Sequence, residues 1–205
     1  RIVAQSFFLS QHSKYSRAWL TTNINHIKHN FRLIFKDKPD QLKVLTEVKN
    51  DGLGHGMLEL ADAAREAGSD YLAVACMSEA LTLRQNGFPN IPILIFGERT
   101  DTGIPLCVQH NLTIQIQSFE KANTIAKYAT DLNKVCKVHI KVDTGMGRYG
   151  IPWEKTLDEI KQISQLKGIE IEGLMTHFAQ SDEKAKDYAK LQLERFQSVV
   201  NQLKA

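Results

Sequence analysis

The chain has 205 residues, of which 42% are hydrophobic and 24% charged. That is enough for one domain with a sizeable core and ordinary for a globular protein. Its net charge of +3, from 26 Lys+Arg against 23 Asp+Glu, is too weak and too evenly spread to imply nucleic acid or an anionic membrane. No stretch approaches the ~20 apolar residues of a membrane-spanning helix.

The chain begins at Arg1 rather than Met, which reads as a processed chain or a fragment. The apolar stretch Phe7-Phe8-Leu9 is too short for a signal-peptide core. Residues 1–14 are read as a leader, linker or remnant, and 15–205 as one domain. A first helix follows, with Ile24, Ile27, Phe31, Ile34 and Phe35 at helical spacing, Asn23 or Asn25 as its cap and Pro39 closing the region.

From there strand and helix alternate. Leu42–Val48 reads as a strand. It is followed by a glycine-rich turn at 52–56 and a helix over 57–67 that stops at Gly68. Tyr71–Ala75 is a second strand, followed by a helix capped by Ser78 and stopping at Gly87. Ile93–Phe96 is a third strand, with a short helix around 103–110. Leu112–Ile116 is a fourth, followed by a helix from Ser118 to about Ala129. Val135–Val142 is a fifth, with a helix over 154–166 ending at Gly168. Ile169–Met175 is a sixth. A long amphipathic helix then carries Tyr188, Leu191, Leu193, Phe196, Val200 and Leu203.

Short Val/Ile/Leu-rich strands alternating with helices every ~20–35 residues indicate a parallel sheet covered by helices, either a β/α barrel or a doubly wound sheet. Six strands are two fewer than a closed (β/α)₈ barrel needs. Either two further units belong to the intact protein, or the sheet is open. Three widely spaced cysteines, Cys76, Cys107 and Cys136, form no Cys-x-x-Cys pair. That argues against a disulfide framework or a zinc site and suits a reducing, cytoplasmic setting.

Three segments at strand C-terminal ends carry candidate chemistry. The first is Val48-Lys49-Asn50-Asp51-Gly52-Leu53-Gly54-His55-Gly56. A lysine at such an end is partly withdrawn from water, which favours a usable amine nucleophile. The plainer alternative is a solvated lysine before a flexible loop. The second is Lys141-Val142-Asp143-Thr144-Gly145-Met146-Gly147-Arg148-Tyr149-Gly150. It contains G-x-G-x-x-G, but it follows the fifth strand, and Ile151-Pro152 comes next, so no helix opens inside the glycine run as a dinucleotide fold requires. Arg148 suits an anionic ligand oxygen. Lys141 and Asp143 flank it and suggest a charge network; the alternative is a surface salt-bridge cluster. The third is Met175-Thr176-His177-Phe178-Ala179, whose histidine could stack on a flat ring, relay a proton, or be structural. Together they place Lys49, Arg148 and His177 at one end of a parallel sheet, as a barrel active site requires.

These segments resemble the alanine racemase family. Residues 48–56 resemble its V-K-A-D-A-Y-G-H-G motif, 141–150 its K-V-D-T-G-M-G-R-L-G motif, and 172–179 its E-G-L-M-T-H-F-A segment. Trp19 and the helix near His29-Asn30 resemble its opening. The resemblance implies a (β/α)₈ TIM-type barrel, here with about six of eight units, that binds pyridoxal 5'-phosphate. It implies that Lys49 forms the Schiff base and is one of two catalytic bases. It implies that Arg148 contacts the cofactor's phenolic oxygen and the substrate carboxylate, and that His177 stacks on the pyridine ring. Lys141 matches a lysine often carbamylated in the family, where the added charge helps to orient the arginine.

The resemblance further implies a homodimer in which a tyrosine of the partner's C-terminal β-domain is the second base. The substrate would be a small amino acid, with L- and D-alanine interconverted to supply cell-wall synthesis. The remaining barrel strands, most phosphate loops, the arginine facing the pyridine nitrogen and the β-domain would lie outside this chain, which alone would be inactive. The family's phosphate-contacting tyrosine is Leu53 here, and its Glu-Ile-Asp run after the tryptophan is replaced by Leu20-Thr21-Thr22-Asn23. A serine or broad-specificity racemase and a non-catalytic cofactor-binding module are the alternative readings.

Overall fold

The computed structural model describes residues 21–97 and 100–204. The leader assigned to 1–14, and Trp19, lie outside them.

Helix α1 (Ile24–Asp37) is capped by Asn23, whose side chain accepts from the amides of Asn25 and His26. This satisfies two of the donors a helix start leaves open. Five parallel strands then alternate with helices: β1 (Leu45–Glu47), α2 (Met57–Ala67), β2 (Tyr71–Val74), α3 (Met77–Gln85), β3 (Ile93–Ile95), α4 (Ile104–Gln109), β4 (Thr113–Ile116), α5 (Phe119–Asp131) and β5 (Cys136–Asp143). A two-residue strand β6 (Ile151–Pro152) precedes α6 (Thr156–Ile163), β7 (Ile169–Met175) and α7 (Asp187–Lys204). β6 is an extra pairing on β5 that the sequence pattern did not reveal.

The long strands lie in sequence order, β1-β2-β3-β4-β5-β7, all parallel. A doubly wound sheet reverses its order at a switch point, whereas a barrel does not. The consecutive order therefore decides for a TIM-type barrel, present here as an arc of six strands. Among the described residues, no pairing joins β1 to β7.

Period-2 alternation divides the strands into two layers. Leu72, Val74, Ile93, Ile95, Ile114, Ile116, Val138 and Ile140 are buried against helix residues such as Ala61, Leu83, Cys107, Ile125 and Ile163. This outer layer is the apolar core. The opposite face is polar. Tyr71, Thr113 and His139 meet the carboxylate of Glu172 there. A bulge opposite Val138/His139 shifts the β5–β7 register by one residue at Glu172.

Two expectations need correction. Ser78 does not cap α3. The N-cap is Cys76, and Glu79 reaches back to its amide to complete a capping box. On α7, Leu191, Leu193 and Leu203 are exposed, and the fully enclosed positions are Gln192 and Val199. The inward stripe is half polar because it faces loop carbonyls rather than apolar side chains. Cys76 is exposed, and Cys107 and Cys136 are buried. No helix among the described residues is long and apolar enough to cross a membrane.

Candidate functional site

The C-terminal ends of β1, β5 and β7 open onto one cavity of about 280 Å³ that contains Lys49, Lys141, Arg148 and His177. Glu47 and Gln115 add polar atoms, and Phe96, Met146 and Met175 supply apolar wall. The sequence singled out the four basic residues of this set. It missed Glu47 and Gln115, which read as ordinary strand positions; period-2 alternation places Glu47 on the same face as Lys49.

Lys49 is the last residue before a sharp change of backbone direction. Asn50, Asp51, Gly52 and Leu53 all take left-handed conformations, with φ of 53°, 53°, 63° and 56°. Its Nζ lies 2.6 Å from Oε1 of Glu47, and a third of its side chain is exposed (33%). Leu53, at the family's tyrosine position, points elsewhere. It is 59% exposed and lines a separate groove with Ile27, Phe31, Ile34 and Leu60 of α1 and α2.

Lys141 is the enclosed cation, with 6% of its surface exposed. Burial is the main cause that brings its pKa down to about 8, and the nearby charge of Arg148 adds to this while Asp143 opposes it. His177 is pushed below the ordinary imidazole value by burial first, then by Lys141 and Arg148. Its ring therefore stays neutral to lower pH.

The loop carrying Arg148 is held by backbone contacts. Asp143 Oδ1 accepts from the amides of Gly145 (2.9 Å) and Gly147 (3.1 Å). Among the described residues no direct ion pair joins Asp143 to Lys141 or Arg148, although the charges of both Asp143 and Arg148 act on Lys141. The carboxylate's hydrogen bonds go to the glycine turn, whose backbone donors lie two and four residues on. Gly150 needs its identity. With φ of +131°, a Cβ there would lie 2.7 Å from the Asp143 amide and 3.1 Å from Lys141.

Helix α7 buttresses both loops. Tyr188 donates to the carbonyl of Gly145 at 2.7 Å, and Arg195 Nη1 donates to that of Thr144 at 2.8 Å. Buried Gln192 donates to Thr144 Oγ1 and to the His177 carbonyl, both at 3.1 Å, and accepts from the Ala179 amide at 2.9 Å. Thr176 links to Thr144 through their hydroxyls at 2.8 Å. Of these braces, the sequence reading placed Tyr188 on the helix stripe and gave no signal for Gln192 or Arg195. Among the described residues, no group of three or more His, Cys, Asp or Glu side chains is placed to hold a metal.

The family described as "Alanine racemase, N-terminal domain" matches residues 22–205. An alanine racemase of Methanococcus maripaludis is 40% identical over 186 residues, covering 90% of this chain and 50% of its own length. Among solved structures, alanine racemase from Clostridium difficile 630 superposes with a TM-score of 0.82 at 32% identity, covering 89% of this chain and 47% of that one. Histidine racemase from Leuconostoc mesenteroides superposes with a TM-score of 0.77 at 27% identity, covering 85% and 46%. The chain thus spans about half the length of the relatives it matches. With its profile and its barrel arc in agreement, the chain belongs to the alanine racemase family, in the part that forms the N-terminal domain.

Proposed function

We propose that this chain binds pyridoxal 5'-phosphate through Lys49 and contributes the barrel half of an amino-acid racemase site, with alanine as substrate and D-alanine for cell-wall synthesis as product. The observation that carries the reading is the single cavity at the strand ends, where one amine, two further cations and a neutral-leaning imidazole meet an apolar wall. These residues fit the cofactor. An aldehyde needs an amine, anionic oxygens need cations, and a flat ring needs an apolar or aromatic face.

When bound, the cofactor withdraws electrons from the substrate's Cα and makes its proton removable. Each other role falls to a side chain of this protein. Lys49 Nζ anchors the cofactor and takes or returns the Cα proton on one face. Arg148 pairs with the phenolic oxygen and the substrate carboxylate. His177, held neutral, offers its ring face to the pyridine ring. Lys141 sits beside Arg148; with a pKa near 8 it retains some neutral amine, the form that adds carbon dioxide, and a carbamate there would give Arg148 an anionic neighbour. Asp143 keeps the Arg148 loop in register. Leu53 offers the phosphate no hydrogen bond, so phosphate contacts rest on other donors. The second base and the homodimer belong to the same proposal, supported by the half-length match to full-length racemases.

The test is direct. Pyridoxal phosphate followed by borohydride should label Lys49, read by peptide mass mapping, and Lys49→Ala should lose that label. Labelling spread over surface lysines sinks the cofactor assignment. Racemisation of L-alanine, L-serine and L-histidine by the full-length protein then ranks substrates. A serine or broad-specificity racemase is the second reading, favoured by the likeness to a histidine racemase. Cofactor labelling without turnover by the full-length protein on any amino acid would point to a binding module.

A further inference from the structure

We propose that Glu79 is a positioning residue of this site: from the first turn of α3 it braces the left-handed turn that follows Lys49 and so fixes the direction in which the lysine enters the cavity. The inference rests on the reading of Lys49 as the cofactor anchor.

The turn needs such a brace. Four consecutive residues, Asn50 to Leu53, have positive φ, and only Gly52 adopts this without steric cost. For an L-residue the left-handed conformation brings Cβ too close to the following carbonyl oxygen. A run of this kind persists only where its surroundings over-determine it. Internal bonds contribute: the Gly52 amide donates to the Val48 carbonyl at 3.0 Å and that of Gly54 to Asn50 at 3.2 Å. Asp51 Oδ1 accepts from the Met57 amide at 3.0 Å, but this ties the turn only to the helix that follows it in the chain.

Glu79 supplies the link to a different strand. Its Oε1 accepts from the Asn50 amide at 2.7 Å, across 29 residues of sequence. Its Oε2 accepts from the amides of Ala75 at 2.8 Å and Cys76 at 3.3 Å. Capping α3 requires only the second oxygen. The first grips the residue next to Lys49, and Ala75 lines the same cavity as Lys49. One carboxylate therefore pins the ends of β1 and β2 to each other at the rim of the site. Neither oxygen can be spared, because the three donors are backbone amides and cannot turn away.

Glu79→Gln separates the two tasks. An amide has one acceptor oxygen, so it keeps the two-bond cap of α3 and turns an NH₂ toward the Asn50 amide. We expect Lys49 labelling by pyridoxal phosphate and borohydride to slow about tenfold, the loss of one charge-assisted bond. The other lysines should label at the native rate, and the melting temperature should fall by only a few degrees. Amide exchange at Asn50, read by NMR or mass spectrometry, should speed up. A native labelling rate at Lys49 with native exchange at Asn50 overturns the proposal. So does a variant that melts far below the native protein and labels every lysine alike, because Glu79 would then hold the fold and not the turn. If Lys49 of the native protein takes no label, the cofactor reading fails, and exchange at Asn50 still decides whether Glu79 holds the turn.

Discussion

At the scale of single residues, burial and charge act together most strongly on Lys141. Its pKa of about 8, against 10.5 in the open chain, means that folding penalises its charged form. Between these two values the unfolded chain binds more protons than the folded one, so stability rises with pH across that window. Below pH 8 the penalty is present in full. Lys141→Met keeps the length of the side chain and removes the charge. The variant should therefore be more stable than the native protein at pH 7, by about 1–3 kcal/mol. The advantage should shrink as pH climbs through 8 toward 10. Urea unfolding at pH 7, 8.5 and 10 reads this directly, and a constant difference across the three would rule out a depressed lysine. The same substitution removes the amine beside Arg148, so a gain in stability should accompany a loss in function, as expected where a site is held against its own folding preference.

At the scale of elements, α7 does more than cover the sheet. Through Tyr188, Gln192 and Arg195 it reaches the carbonyls and the hydroxyl that shape the Thr144–Gly145 bend and the backbone of His177. Gln192→Leu preserves volume but leaves the Ala179 amide, the His177 carbonyl and the Thr144 hydroxyl without this partner in a fully enclosed position. Stability should fall by about 2–4 kcal/mol, and amide exchange should rise at Ala179 and around Thr144 before it rises in β2 or β3. Uniform loss of protection would mean that α7 supports the whole arc rather than these two loops. The same helix shows where reading from sequence succeeds and where it stops. Alternating apolar runs and glycine stops located all six long strands, because burial in an α/β layer leaves a strong periodic signal. The bases at the strand ends were legible for the same reason: once the strands are placed, their C-terminal residues share one rim. The inward stripe of α7 was not legible, because Gln192 is buried for its hydrogen bonds while Leu191 and Leu193 are left exposed. Nor was Glu79 legible, whose partner at Asn50 lies 29 residues away. Such contacts depend on how two strand ends meet in space, which no local pattern encodes.

At the scale of the molecule, the sheet is held from within as well as from its helices. Beneath the site, Glu172 of β7 accepts from Tyr71 of β2 and, at 3.1 Å, meets His139 Nε2 of β5. It also accepts from Lys137 Nζ at 2.7 Å, and Tyr71 shares a hydrogen bond of 2.7 Å with Thr113 of β4. One carboxylate thus joins four strands, with partners up to 101 residues apart. TIM barrels more often fill this space with branched apolar side chains. A polar interior binds the arc only while its carboxylate is ionised and its donors are matched. Burial by itself raises the pKa of Glu172, but hydrogen bonds from Lys137, Tyr71 and His139, with the charge of Lys137, outweigh it and leave the group below its ordinary 4.5. A carboxyl depressed by folding contributes stability that is present above the unfolded value and is lost as pH falls through the folded one. The melting temperature of the native protein should therefore drop steeply below about pH 4.5. Glu172→Gln should melt lower at pH 7, because Lys137 loses the nearer of its two carboxylate partners and the amide cannot accept from Tyr71 and His139 alike. Its melting temperature should then decline less steeply with acid, so that the two curves converge. Thermal melts in steps from pH 7 to 3 decide the matter. Parallel curves would show that the acid sensitivity of the arc comes from other carboxylates and that Glu172 is no more than a filler of the interior.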